Sequence, residues 1–417
     1  MKDNETTEEK KPGRLRRLIN NLRKAPVVAG AVMIIIAAEL IMIFVAPMVI
    51  PDEVYMRLYL TDFAEENTIE YLHDTDKYNI RDTLVGWQNR PGCVYDKWHT
   101  DRNGARATHE YTMTPEKANR VMFLGSSIIN GGPFVYIDET ISAIVEDSMT
   151  ESINFGVMRY SMDQVYLRYT NDLHEYNPDI IIVEINAAPC AGLRNQYIPF
   201  RDRFAADMPY LKPRYMLNGG ELEFVALPPR GLLDSIFCNS GLVNWLEERD
   251  CFYSEFESFK RFGLMPISST AWKVFNRAGN LRRILAGDPE GERILELLMH
   301  RLVEEASRHG ASVIFLSLPD LTLTAPERWR KMLPDRYLIR LDQLRSNGFD
   351  IIDAREIFRK SGHHPRRLFV HDNRHLTPLG NRLVAEELKS HLDKLLREDI
   401  IYTGSGADSS LTRKIPR

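Results

Sequence analysis

The chain has 417 residues, 44% of them hydrophobic and 27% charged, with 54 Lys and Arg against 58 Asp and Glu for a formal net charge of -4. These values exclude a multi-span transporter and disorder of the bulk of the chain, and they provide no basic field of the kind nucleic acid requires. Four Cys are too few for a disulfide-built scaffold in a chain long enough to bury a large core without one.

From Ala25 to Ile50 the sequence APVVAGAVMIIIAAELIMIFVAPMVI holds one charge, Glu39. At 1.5 Å per residue it is long enough to cross a hydrocarbon core of about 30 Å, and it reads as one transmembrane helix over 25–50. A buried core helix or a cleavable signal is the alternative. The apolar part of a signal is usually about 7 to 15 residues long, and Val45-Ala46-Pro47 is a poor cleavage site. Glu39 is costly in lipid unless it snorkels, takes a proton or meets a helix partner. Lys10, Lys11, Arg14, Arg16, Arg17, Arg23 and Lys24 precede the segment, whereas Asp52, Glu53, Asp62, Glu65, Glu66 and Glu70 follow it, opposed only by Arg57. The positive-inside rule makes residues 1–24 a cytoplasmic basic tail and places everything after Ile50 in the periplasm or outside the cell. That compartment allows disulfides among Cys93, Cys190, Cys238 and Cys251. Three full pairings are possible; Cys238 with Cys251 is favoured by closeness along the chain, and unpaired buried thiols are the alternative.

Residues 51–119 read as a juxtamembrane helix from Glu53 to His73 and a turn-rich lead-in containing Arg90-Pro91-Gly92 and Arg102-Asn103-Gly104. From Arg120 short β-type runs alternate with helical patterns. RVMFLG precedes a helix near Ile137 to Met149, SINFGV precedes one near Met162 to Glu175, and DIIIVEIN ends at Asn186. An aromatic and Arg-rich insertion at 187–287 interrupts the rhythm. It resumes with a helix from Glu290 to His309, the strands ASVIFLSL and FDIIDA, and a last helix from Thr377 to Leu396. Five strand candidates separated by helices predict one parallel sheet covered on both faces, in a domain spanning 120–398. Residues 399–417 lack apolar periodicity and are expected to be a disordered tail.

In such sheets ligands sit beyond the carboxyl ends of the strands. The residues there are Gly125-Ser126-Ser127, Gly156 and Asn186, with Asp372-Asn373-Arg374-His375 standing before the final helix. A Ser nucleophile needs a base, the base an orienting carboxylate, and the developing oxyanion hydrogen-bond donors. Ser127, at a sharp strand-to-helix turn, is the candidate nucleophile; His375 would take its proton and Asp372 would hold the imidazole. The backbone N–H groups of Ser127 and Gly156 and the Asn186 amide are the candidate oxyanion donors.

The blocks FLGSSIINGG (Phe123–Gly132), NFGVMRYSMDQ (Asn154–Gln164), EIN (Glu184–Asn186) and DNRHLTPLGNRLVAEEL (Asp372–Leu388) resemble, in kind and order, those of the SGNH/GDSL hydrolase family. LVGWQNRPG and TDRNGARA resemble the lead-in of a membrane-anchored or secreted bacterial branch. The resemblance covers about Thr83 to Leu396. It implies a flavodoxin-like three-layer αβα sandwich with a mostly parallel five-stranded sheet, joined here to one N-terminal transmembrane helix. It also implies a serine esterase without cofactor, with Ser127, Gly156, Asn186 and His375 in the family's named roles and Asp372 as the His partner. Ser126 stands where many members have Asp, and Ala187-Ala188-Pro189 follows Asn186 where an Asp is frequent.

The implied substrate is an O-acylated small molecule or envelope glycan. An O-acyltransferase built on the same acyl-enzyme, or a catalytically silent envelope-binding or assembly protein, would show the same blocks. His363, His364, His371 and His375 raise a metal site, but no Cys or HExxH pattern accompanies them; no metal is expected, and Gly125, Gly131 and Gly132 do not make a phosphate loop. The insertion's Tyr210, Tyr215, Trp245, Phe252, Tyr253, Phe256 and Trp272 read either as a hydrophobic cap, the preferred reading, or as the wall of a sugar cleft.

Overall fold

The computed structural model describes residues 14–60, 62–185, 190–201, 210–233, 241–275, 287–318, 336–371 and 374–404. Helix α1 (Arg14–Val49) runs unbroken through the apolar segment and is followed by α2 (Asp52–Tyr59) and α3 (Asp62–Leu72). The single helix expected from Glu53 to His73 is therefore two. Leu60 is extended (φ -71°, ψ 155°) and ends α2 by donating its N–H to Met56. The break lets Tyr55, Met56 and Tyr59 bury themselves against the insertion while Tyr71 joins the core of the sheet domain.

The lead-in forms two antiparallel hairpins, β1 (Asn79–Asp82) with β2 (Gly86–Asn89) and β3 (Val94–Tyr95) with β4 (Trp98–His99). Val85, Trp87, Ala105, Ala107 and Tyr111 share one core cluster with the sheet, so the lead-in is packed onto the domain it precedes.

The chain then alternates as expected: β5 (Asn119–Leu124), α4 (Ser127–Asn130), α5 (Ile141–Val145), β6 (Thr150–Asn154), α6 (Met162–Asn171) and β7 (Ile180–Ile185). The insertion contributes α7 (Ile198–Arg201), the hairpin of β8 (Arg214–Asn218) and β9 (Glu221–Val225), α8 (Arg230–Leu233), α9 (Gly241–Arg249), α10 (Tyr253–Phe262) and α11 (266–275). After it come α12 (Pro289–Arg308), β10 (Ser312–Ser317), α13 (Arg336–Ser346), β11 (Ile351–Asp353), α14 (Ala354–Ser361) and α15 (Pro378–Gly404). The last helix extends past Asp399 into the segment expected to be disordered, and residues 405–417 lie outside the described residues.

β5, β6, β7, β10 and β11 form one five-stranded sheet in the order β11-β10-β7-β5-β6, every neighbouring pair parallel. Numbered by appearance this is 2-1-3-4-5, the flavodoxin-like doubly wound order. Side chains alternate between faces with the period of two that strands impose. Val121, Phe123, Ile180, Ile182, Ile314 and Leu316 face α5, α14 and α15. Met122, Leu124, Ile181, Val183, Ile185 and Phe315 pack with α6, α12 and α13 on the other side. The result is an αβα sandwich whose order reverses between β5 and β7, where such sheets open a crevice for ligands.

Tyr210, Tyr215, Phe252, Tyr253 and Phe256 of the insertion are buried. Tyr210 stacks on Tyr71, and Phe256 packs with Tyr59 and Phe200. These rings are core, which favours the cap over a cleft wall. Lys212 ties the insertion to α6 through a buried ion pair with Asp163. Cys93 and Cys251 are unpaired thiols: Cys93 donates to the Lys77 carbonyl and Cys251 accepts from Arg214. Cys251 carries a free thiol, so the favoured Cys238–Cys251 bridge is not formed; Cys238 itself lies outside the described residues.

Candidate active site

The carboxyl ends of β5 and β7 lie side by side, Leu124 opposite Val183. From β5 the chain bends at once into α4. Gly125 is required there by crowding: a Cβ on it would lie 2.4 Å from Glu184 Cβ and 3.1 Å from Ile129 Cγ1. Ser126 caps α4, its hydroxyl accepting from Ile128 N–H at 3.2 Å. Ser127 is the first residue of the helix and is half-buried. Its N–H has no acceptor among the described residues.

His375 reaches the same point from the other end of the domain. Val370 N–H donates to the His375 carbonyl at 2.9 Å, and Phe369 bridges to Leu376, so the segment before α15 folds back on itself. The His375 ring lies 4.5 Å from that of Phe134, and its Nε2 is 2.8 Å from Ser127 Oγ. The structure thus brings together two groups 248 residues apart in sequence at a distance suited to proton transfer. His371 lies 6.0 Å from Phe134, ring to ring; among the described residues no three His, Cys, Asp or Glu converge as a metal would require.

The remaining expected site residues stand differently. Asn186 and Asp372 lie outside the described residues. Gly156 packs under α4, where a Cβ would come within 2.8 Å of Asn130 N. Its N–H, expected to face an oxyanion, donates to Asn154 Oδ1 at 3.0 Å. Its carbonyl accepts from Asn130 Nδ2 at 2.8 Å and Asn89 Nδ2 at 2.9 Å, and Asn154 Nδ2 donates to Ile129 O and Ser142 Oγ. Three buried amides therefore fix Gly156 against the nucleophile helix.

Two contributors carry no role in the sequence reading. Glu184 is buried at the end of β7, and its carboxylate accepts from Ser126 N–H at 2.7 Å, Ser126 Oγ at 2.8 Å and Ile129 N–H at 3.4 Å. No Lys, Arg or His pairs with it among the described residues. Burial raises its pKa above the ordinary carboxylate value, opposed by the Ser126 hydroxyl and the two N–H groups. A Glu inside the apolar run IIIVEI is the signal that could have drawn attention to it.

Arg106, also buried, donates through Nη2 to the carbonyls of Lys97, Gly132 and Val135 and so braces the loop that carries Phe134 against His375. Its guanidinium lies over the Trp98 ring, and burial pushes its pKa down to about 10, opposed by Cys93.

These observations define the class: a parallel α/β sandwich with a Ser–His couple at its topological switch point. No protein-family model and no curated protein matches the chain. Among solved structures it is similar to a catalytic mutant of Axe2, an acetylxylan esterase from Geobacillus stearothermophilus, at 12% identity and a TM-score of 0.34 over 65% of this chain and 92% of that one. Another Axe2 mutant, an acetyl-xylooligosaccharide esterase from the same organism, is similar at 11% identity and a TM-score of 0.34, again over 65% and 92%.

Proposed function

We propose that the chain is a membrane-anchored serine esterase that hydrolyses acyl esters, acetyl esters among them, carried by an envelope or extracellular glycan. The observation that carries this reading is the 2.8 Å contact between His375 Nε2 and Ser127 Oγ at the switch point of the sheet. With the imidazole neutral and its proton on Nδ1, Nε2 accepts the Ser127 proton as Oγ attacks the acyl carbonyl, then returns that proton to the departing alcohol. Water repeats the sequence on the acyl-enzyme with His375 again as base. Asp372 is assigned to hold the Nδ1–H. The Ser127 N–H is the first oxyanion donor, with the Asn186 amide beside it; the Gly156 N–H serves by sharing the proton it gives to Asn154.

The anchor reading is supported by α1, whose Pro26–Val49 segment is long and apolar enough to cross a membrane and is exposed over most of its length. A row of exposed Val, Ile and Met on such a helix calls for an apolar partner. The basic flank preceding it assigns residues 1–24 to the cytoplasm and the sheet domain to the opposite side.

The test is hydrolysis of p-nitrophenyl acetate by the solubilised chain. Ser127→Ala is expected to lower kcat by roughly 10³-fold or more, and equal rates would overturn the assignment. Product analysis with a glycan acceptor present separates hydrolysis from acyl transfer.

A further inference from the structure

Helix α1 is exposed on every side over residues 26–37, but from Glu39 onward one face is covered, the stripe of Glu39, Met42, Ile43, Ala46, Pro47 and Ile50. The spacing is that of one helix face, and the insertion covers it: α10 runs against α1, and α11 begins at Glu39. Glu39 Oε1 accepts from Ile267 N–H at 2.9 Å and Oε2 from Ser268 N–H at 3.0 Å. These are the second and third residues of α11, after Pro266, whose N–H groups have no partner within their own helix. An acid 228 residues away in sequence acts as the cap of this helix.

If α1 spans a bilayer, as proposed above, Glu39 fixes a depth. It lies 10 residues inside the Val49 end of the span, about 15 Å along the helix, close to the middle of a hydrocarbon core of about 30 Å. At the upper end Lys260 of α10 pairs with Asp52 at 2.7 Å, just beyond the span. Residues between these two levels are in lipid or against it. From Phe262 to Phe275 the sequence FGLMPISSTAWKVF holds one charge, Lys273, whose stem is long enough to snorkel. Phe262, Ile267, Val274 and Phe275 are exposed, as are Ile41, Phe44, Val45 and Met48 on α1. Backbone at membrane depth must find its partners in protein. Gly263 N–H donates to Phe259, Ser269 N–H to Met265, and Ile267 and Ser268 to Glu39. The same bonds answer the cost of an acid inside the span.

We propose that residues 262–275 are a second membrane element, a re-entrant segment that sinks beside the anchor into the leaflet nearer the sheet domain, to the depth of Glu39, with phospholipid acyl chains covering Phe262, Ile267, Val274 and Phe275. The domain is then held at two points. Because α1 already packs against the insertion, a second insertion into the leaflet fixes which face the domain turns to the membrane.

The test uses the full chain in vesicles of phosphatidylethanolamine and phosphatidylglycerol carrying nitroxide-labelled acyl chains. Single Cys variants at Ile267, Phe275, Phe44 and Val94, made with the native Cys replaced by Ser, carry a fluorophore. The expected result is strong quenching at Ile267→Cys and Phe44→Cys, weaker at Phe275→Cys, none at Val94→Cys, and maleimide protection in the same order. Quenching at Phe44→Cys with Ile267→Cys as open to aqueous maleimide as Val94→Cys would overturn this proposal and leave the anchor standing. Loss of quenching at Phe44→Cys as well would overturn the anchor. Protection of Ile267→Cys from both reagents would overturn lipid as the occupant and point to a second copy of the chain. Photo-crosslinking of the unaltered chain to diazirine lipids should give adducts on the peptide spanning 262–275, and their absence beside adducts on α1 would count against the proposal without any substitution.

Discussion

Two acids stand alone in apolar runs, Glu39 in the anchor segment and Glu184 in the third strand of the sheet, and both are buried. Each is met by backbone N–H groups at the start of a helix, Ile267 and Ser268 for Glu39, Ser126 and Ile129 for Glu184. What differs is how the helix arrives. The Glu184 partner follows the neighbouring strand, so the parallel pairing of β5 with β7 delivers it. The Glu39 partner belongs to an insertion and comes from 228 residues further along the chain. A lone acid in an apolar run marks a joint in both places, and only where the sheet brings the joint beside Ser127 does it bear on chemistry.

That distinction can be broken in three ways. Gly125→Ala should have the largest effect: its Cβ would lie 2.4 Å from that of Glu184, so strand or turn must move. A loss of about 1 to 3 kcal/mol in unfolding free energy is expected, together with a kcat lower by roughly 100-fold as Ser127 leaves its alignment. Chemical denaturation and p-nitrophenyl acetate kinetics on one preparation check both, and a wild-type rate would remove the turn from the argument.

Glu184→Gln comes next. Its amide can still bond Ser126, so the chain should fold, with kcat lowered roughly tenfold and KM little changed. The sign of the pH effect is opposite to that of an ion-paired acid. Because the folded carboxyl binds its proton more tightly than the unfolded one, Glu184 lowers stability as pH rises from the ordinary carboxylate value through the raised one. Glu184→Gln should abolish that slope in urea midpoints measured across the range; an unchanged slope would mean that another group causes it. Glu39→Gln should have the smallest effect on catalysis, within about twofold on a soluble ester, because additivity holds for sites that share no partners. A larger loss would show that the two joints are coupled.

Much of the sheet was legible. β-type runs alternating with helical patterns predict a parallel, doubly covered sheet, because strands buried on both faces must be apolar throughout and their crossovers helical. Ser127 could be picked out because chemistry in such a sheet lies beyond its carboxyl ends, and His375, before the last helix, because the order of the blocks resembles that of the SGNH/GDSL family. Less legible were contacts that no periodicity encodes. The break at Leu60 depends on Tyr59 and Tyr71 entering different cores, and the N–H of Gly156 on Asn154, two residues away, turning its amide back toward it. Glu184 was in view within EIN but carried no role, since which helix start would meet it depends on strand order.

By itself the sequence determined the apolar span, the α/β rhythm and the residue types of a Ser–His couple, all of them properties of local pattern and chemistry. Tertiary structure alone decided the order 2-1-3-4-5, the 2.8 Å contact across 248 residues, the bracing of the Phe134 loop by Arg106, and the capping of α11 by Glu39. For the polar contacts the physical reason is the same. A buried polar group must be satisfied, but nothing in its own segment says which distant backbone will satisfy it.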